Sequence, residues 1–254
     1  MSPRITLAIA HRVLLQLRRD KRTLAMLMAL PCLVLALLWW MFDGAGPGRG
    51  AGFRTLGPPL LALIPFTVMF LVTSVTTLRE RSSGTLERLL AMPTGKGDFL
   101  AGYALAFGLV AAVQSVLAVG VSHYLLGLDV SGPLWMLVLV AVVDAVLGSA
   151  LGLLVSAFAR TEFQAVQFMP ALVFPQLLLC GLFVPRAAMP QLLETLSGLL
   201  PLSYAVDAMT AVSTTTGSGL GGVDGAVWSD LAVVLGFVLA GLALGAATLR
   251  RRTP

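Results

Sequence analysis

The sequence predicts an all-α polytopic membrane protein, and three observations carry that prediction. Only 11% of the 254 residues are charged and 57% are hydrophobic, whereas soluble domains average about 25% charged residues. Several apolar runs reach the ~20 residues that a helix needs to cross ~30 Å of hydrocarbon. The remaining charges fall largely between those runs. Six spans are expected, near residues 24–42, 58–78, 99–126, 133–158, 165–185 and 229–249, in one transmembrane domain covering 1–254. With both termini on one side, that side holds 14 of the 17 Lys and Arg residues, and the other holds only Arg49, Arg54 and Arg186. The positive-inside rule then places both termini and the polar stretch 79–98 in the cytoplasm of a multi-pass protein. A net charge of +5 carried this way orients a membrane protein, so nucleic acid is not an expected partner.

Residues 1–23 precede the first run. At about 100° per residue, Arg4, His11, Arg12, Arg18, Arg19 and Arg22 share one arc, and Ile5, Leu7, Ile9, Val13, Leu14 and Leu17 the other. That suits a helix lying in the interface with its basic face toward anionic headgroups. A solvated lead-in whose charges only orient the first span is the alternative. The run 24–42 is too long for a signal-peptide core and is followed by further spans, so it reads as a retained first span. Cys32 and Cys180 fall inside apolar runs and behave as small hydrophobes. The stretch "DGAGPGRGAG" after the first span is a Gly-rich link.

The stretch 79–98 is the most polar part of the interior sequence. "GTLERLL" within it is expected to be a short amphipathic helix, with Leu86, Leu89 and Leu90 on one side, Glu87 and Arg88 toward another, and Pro93 and Gly95 as stops. It is either a docking knob for a cytoplasmic partner or a connector lying on the headgroups. Its "GKG" tail is not a phosphate loop, because that pattern requires Gly at position 90 and Ser or Thr at 97, where the chain has Leu90 and Gly97. This chain therefore carries no nucleotide site of its own, and it is not expected to be an enzyme. His11 and His123 lie far apart and no Cys/His/Asp group has metal-ligand spacing.

Inside the spans, Asp144 is the conspicuous charge, at an insertion cost of ~2.5–3.5 kcal/mol near a helix centre. It is either part of a transport path that attracts cations or protons, or a buried acid bonded to a neighbouring helix. Gln176, beside Pro175 and near Pro170, is a second candidate for the path lining, in a fifth span broken or kinked by those prolines. Gly148/Gly152 and Gly241/Gly245 have the spacing for close helix approach, within a subunit or between subunits. From Pro185 to Thr216 the chain is apolar but interrupted, which fits two half-helices near 190–199 and 202–212, re-entrant or lying on the membrane.

"LRERSSGTLERLLAMPTGKGDFLAGY" resembles the segment after the second span in permeases of ATP-binding-cassette type-2 exporters of the daunorubicin-resistance-like multidrug branch. "LCGLFVPRAAMPQLLETLSGLLPLSYAVDAM" is similar to that family's segment after the fifth span. The resemblance implies a bacterial inner-membrane permease that works as a dimer, with a second copy or a paralogue, and pairs with two separate ABC ATPase subunits that bind ATP and Mg. It implies a coupling helix at Arg79, Glu80, Arg81, Gly84, Thr85, Leu86, Glu87, Leu90 and Pro93. It also implies re-entrant half-helices whose Phe183, Pro185, Pro201, Tyr204 and Asp207 gate the outer side. The expected cargo is hydrophobic or amphiphilic: drugs, antibiotics or lipids. Polysaccharide exporters share the superfamily but have aromatic-rich paths, and this chain has 19 aromatics scattered along it. Two other classes compete: a proton-coupled secondary transporter centred on Asp144, and a membrane scaffold or sensor that transports nothing.

Overall fold

A computed structural model describes residues 2–43, 51–82, 95–159, 161–215 and 223–248, and regular structure among them is helical throughout. The elements are α1 (Pro3–Arg19), α2 (Lys21–Asp43), α3 (Ala51–Ser82) and α4 (Lys96–Gly120), which a π-helical turn at Val121–Leu125 extends. They continue with α5 (Leu134–Val155), α6 (Glu162–Leu179), a 3-10 turn at Arg186–Ala188, α7 (Gln191–Ser197), α8 (Pro201–Thr214) and α9 (Gly225–Thr248). Five of these, α2, α3, α4, α5 and α9, are long and apolar enough to cross a membrane. α6 stands where the fifth span was expected, but its Glu162, two prolines and three glutamines dilute its apolar character.

Carboxylates decide where several helices begin. Asp20 leaves the helical region and its side chain accepts hydrogen bonds from the Thr23 amide at 3.1 Å and hydroxyl at 2.6 Å, capping α2. The first span therefore starts at Lys21 rather than at 24, and the interfacial helix closes at Arg19. These bonds also hold the Asp20 carboxyl below its usual pKa. Asp98, in the first turn of α4, accepts from the Gly95 amide at 3.2 Å. Its other oxygen accepts from the Ser2 amide at 2.8 Å and the Thr6 hydroxyl at 3.3 Å. One carboxylate thus serves the N-terminal ends of two helices, where unpaired amides and the helix dipoles favour negative charge.

Two other boundaries correct the sequence reading. Gly57, Pro58 and Pro59 suggested a start near 58 for the second span, yet α3 begins at Ala51 and carries Pro58, Pro59 and Pro65 inside it. A proline removes only its own N–H bond, and inside a membrane neighbouring helices can cover the carbonyl it frees. The fifth span was expected to reach 185, but α6 ends at Leu179, because Gly181 takes a positive φ of 96° that a continuing helix cannot accommodate.

The described helices share two large packed cores and a small third cluster of Leu78, Ala159 and Ala165. One is built from α3, α5, α8 and α9 around Phe66, Phe70, Met136, Leu147 and Met209. The second lies at the basic end, where α1 packs on α4 and the aromatic ladder Phe99–Tyr103–Phe107 meets Ile9, Val13 and Leu17. The stripe α1 buries is Thr6, Ile9, Ala10, Val13 and Leu17. This differs from the expected apolar arc, for Leu7 is 62% exposed and the small residues Thr6 and Ala10 are covered. The partner of that face is a protein helix, and Gly102 lets it come close: a Cβ there would lie 2.7 Å from Ile9 Cγ2.

The tightest approach is between α3 and α5. A Cβ on Gly148 would strike the Phe66 carbonyl oxygen, and one on Gly152 would crowd the Phe70 carbonyl and the Ser74 amide. The Gly148/Gly152 pair is thus used within the subunit. Gly241 and Gly245 of α9 face α5 and α4 at ordinary contact distances. Because backbone, rather than a flexible side-chain tip, stands opposite Gly148, Gly148→Leu should destabilise the fold by about 1–3 kcal/mol. Gly236→Leu, which faces open space, should leave thermal unfolding in detergent unchanged. Equal melting curves for the two variants would contradict this packing.

Candidate functional site

The ion pairs that fasten the helices fall into two groups, one at each end of the bundle. At the basic end, the last turns of α3 present Arg79 and Glu80 in different directions. Arg79 forms a two-pronged pair with Glu162 at the start of α6, Nε to Oε1 and Nη2 to Oε2, each at 3.0 Å. The fork geometry of guanidinium and carboxylate makes this a directional tie. Glu80 turns toward α1, where Arg12 reaches it at 3.4 Å and the Gln16 side chain also bonds it. Two residues of the expected coupling set thus fasten α3 to α1 and to α6. The side chain of Arg81, and Gly84, Thr85, Leu86, Glu87, Leu90 and Pro93, lie outside the described residues.

At the opposite end the half-helices are pinned by a second network. The Arg186 guanidinium pairs with Asp207 of α8 and lies 5.2 Å over the Tyr204 ring, a cation–π arrangement strengthened by partial burial. Tyr204 donates its hydroxyl to the Gly198 carbonyl at 2.7 Å, and Pro201 opens α8 at its buried first turn. Tyr204 and Asp207 thus meet around Arg186. Phe183, 65% exposed, and Pro185, directly before Arg186, are both exposed. Arg186 joins Tyr204 and Asp207 although the sequence marked it only as a charge; its place between Pro185 and Pro190, just before the half-helices, was the available signal.

Gln176 and Ser197 tie α6 to the half-helices. The Gln176 amide donates to Leu172 O at 3.0 Å and accepts from the Leu202 amide at 3.4 Å, at the otherwise unpaired start of α8. Ser197 donates to the Leu179 carbonyl at 2.7 Å. Between these ties and Glu162, only Ala165, Val173 and Gln176 of α6 are buried. The exposed side forms an open groove of about 630 Å³ lined by Pro170, Ala171, Phe174, Pro175, Leu178, Leu179 and Leu193. Every group in that lining is apolar, so the groove suits hydrocarbon and aromatic surface.

Asp144 is 0% exposed, midway along α5, and neither carboxyl oxygen has a hydrogen-bond partner among the described residues. It lies one turn before Gly148 on the stripe that meets α3. The described residues contain no group of three side chains suited to a metal ion.

The profile of the ABC-2 type transporter family matches residues 5–213 of this chain. The chain belongs to that family. ABC-2 relatives include an ABC transporter G family member 20 of Dictyostelium discoideum, 28% identical over 72% of this chain and 25% of its own length. The probable multidrug ABC transporter permease YbhR of Escherichia coli K12 is 28% identical over 59% of this chain and 41% of its own. The linearmycin resistance permease protein LnrN of Bacillus subtilis is 25% identical over 69% and 44%. The chain thus spans less than half the length of these ABC-2 relatives. Permeases of this family normally work with ATPase subunits, and the apolar helices agree with a membrane protein.

The Arg79–Glu162 tie has a pH signature. Its hydrogen bond, then the nearby positive charge, hold the Glu162 carboxyl below its ordinary 4.5. A lowered folded-state pKa means that the tie is fully present above the ordinary glutamate range and is lost as pH falls through the lowered value. Carboxyl NMR titration in detergent should give Glu162 a midpoint below 4.5, and Arg79→Ala should bring it back to the ordinary range. An identical midpoint in both proteins would show that the pair is not formed in solution.

Proposed function

We propose that this chain is the transmembrane permease subunit of an ATP-driven exporter in a bacterial plasma membrane, moving hydrophobic or amphiphilic small molecules outward. The observation that carries this reading is the ABC-2 family match over residues 5–213. Two relatives named for multidrug or linearmycin-resistance permeases support the cargo class, as does the wholly apolar groove on α6. The chain works as a dimer with a second copy or a paralogue. Two separate ABC ATPases bind ATP and Mg, and residues 79–95 transmit hydrolysis from them. Termini and residues 79–98 face the cytoplasm, as the 14 of 17 basic residues on that side support.

In this reading the α6 face with its groove lines the path. Gln176 lies buried behind that face, bonded to the start of α8, and Asp144 is the acid that a cationic substrate meets when α3 and α5 part. Phe183, Pro185, Pro201, Tyr204 and Asp207 form the outer gate, braced by Arg186.

Affinity purification from detergent should recover an ABC ATPase with the wild-type chain. Glu87→Arg should reduce that recovery roughly tenfold, as loss of a central interface contact does, with membrane insertion intact. Proton-driven transport by the purified chain alone, insensitive to Glu87→Arg, would refute the exporter reading. Asp144→Asn should lower ethidium efflux roughly fivefold relative to a neutral dye such as Nile red, the equivalent of about 1 kcal/mol of lost charge attraction. An unchanged ratio of the two would leave Asp144 a purely structural acid.

A further inference from the structure

Residues 83–94 leave α3 after Ser82 and return to the described chain at Gly95. Both flanks of that segment are tied to the same helix. On the entry side, Glu80 is held by Arg12 at 3.4 Å and by Gln16. On the exit side, Asp98 is held by the Ser2 amide at 2.8 Å and the Thr6 hydroxyl at 3.3 Å. The two sets of ligands are about ten residues apart on α1, which a helix converts to roughly 15 Å of rigid length. Between them, Ile9, Ala10 and Val13 are buried on α4, and Gly102 admits Ile9 at near-backbone distance.

We infer that α1 is a positioning strut: it clamps Glu80 at one end and Asp98 at the other, fixes the spacing of the flanks of residues 83–94, and makes both flanks move as one body. This goes beyond anchoring the chain to the membrane surface. The acids come from the flanks, and their partners come from one straight element. A displacement applied between the flanks therefore cannot be absorbed by spreading them. It has to be carried into α3 and α4 together. Arg79, one residue before Glu80, extends the same body to α6 through Glu162.

The inference rests on the exporter reading only for its consequence, so the test has two arms. The first needs no ATPase. In detergent, hydrogen exchange of the α1 amides should speed up roughly tenfold in Asp98→Ala, the effect of losing a charge-assisted tie, and should stay near the wild-type rate in Asp98→Glu. Unchanged exchange in Asp98→Ala overturns the strut whatever the chain transports. The second arm uses the permease with its co-purified ATPase in liposomes, and reads ethidium extruded per ATP hydrolysed. Arg12→Glu should lower that ratio roughly tenfold while ATP hydrolysis continues, and the exchanged pair Arg12→Glu/Glu80→Arg should recover most of it. Full coupling in the Arg12→Glu single variant, or no recovery in the exchanged pair, overturns the strut. If Asp98→Ala does not fold, Thr6→Val removes one Asp98 ligand and is read by the same exchange measurement. A wild-type chain that retains no ATPase refutes the exporter reading and leaves the exchange arm to decide the strut.

Discussion

The close approach of α3 and α5 is the constraint on which the rest of the structure depends. In a bilayer, burying a leucine between helices gains little, because lipid tails are as apolar as the neighbour, and association relies on dispersion contacts and backbone approach. Gly148 and Gly152 bring α5 against the carbonyls of Phe66 and Phe70, closer than any side chain would allow. With that pair formed, α5 becomes the most buried of the candidate spans, and α8, α9 and α4 pack around it. The stripe that carries the two glycines also carries Asp144, so the acid is kept from lipid by the contact that organises the fold.

At the basic end the ordering principle is electrostatic. Helix termini leave amides unpaired, and the chain answers them with Asp20 and Asp98, the latter shared between two helices. Arg79 and Glu80 continue this at the end of α3, and between them α1, α3 and α6 are fastened by charge-assisted bonds. Arg79 and Glu80 stand in the last turns of α3, and long basic side chains at the end of an apolar helix can keep their heads in water while their stems lie along apolar surface.

Much of this was legible in the sequence, for physical reasons. Segment lengths follow from bilayer thickness and the charge asymmetry is a count, so the helical membrane class came through. The two half-helices were marked by Glu194, Gly198, Pro201 and Asp207, which interrupt an otherwise apolar stretch. Less legible was anything that depends on a partner. The amphipathic arc of residues 3–19 was visible, but Thr6 and Ala10 are buried and Leu7 is not, because the covering surface is α4 with its notch at Gly102. Asp98 carries no reading in the sequence beyond the end of a polar stretch, although a carboxylate three residues after Gly95 has capping spacing. Its contact with Ser2 spans most of a hundred residues and leaves no local pattern. Gln176 was found for its polarity in an apolar run, but the half-helix amide it accepts from lies beyond a turn set by Gly181.

The way α6 is held ties the two ends together. Arg79 grips its first residue, and Gln176 and Ser197 grip its last turn through α8 and α7. Between these points most of the helix is exposed, and Pro170 and Pro175 interrupt its own hydrogen-bond ladder. A helix secured at its ends and weakened in the middle bends where it is weak when one end is displaced. The groove beside Phe174 and Leu178 lies at that weak point, and the end that would be displaced is fastened one residue from Glu80. In the proposed exporter, motion of the flanks therefore reaches the groove through a single helix, without any change in the glycine-packed pair of α3 and α5 being required first.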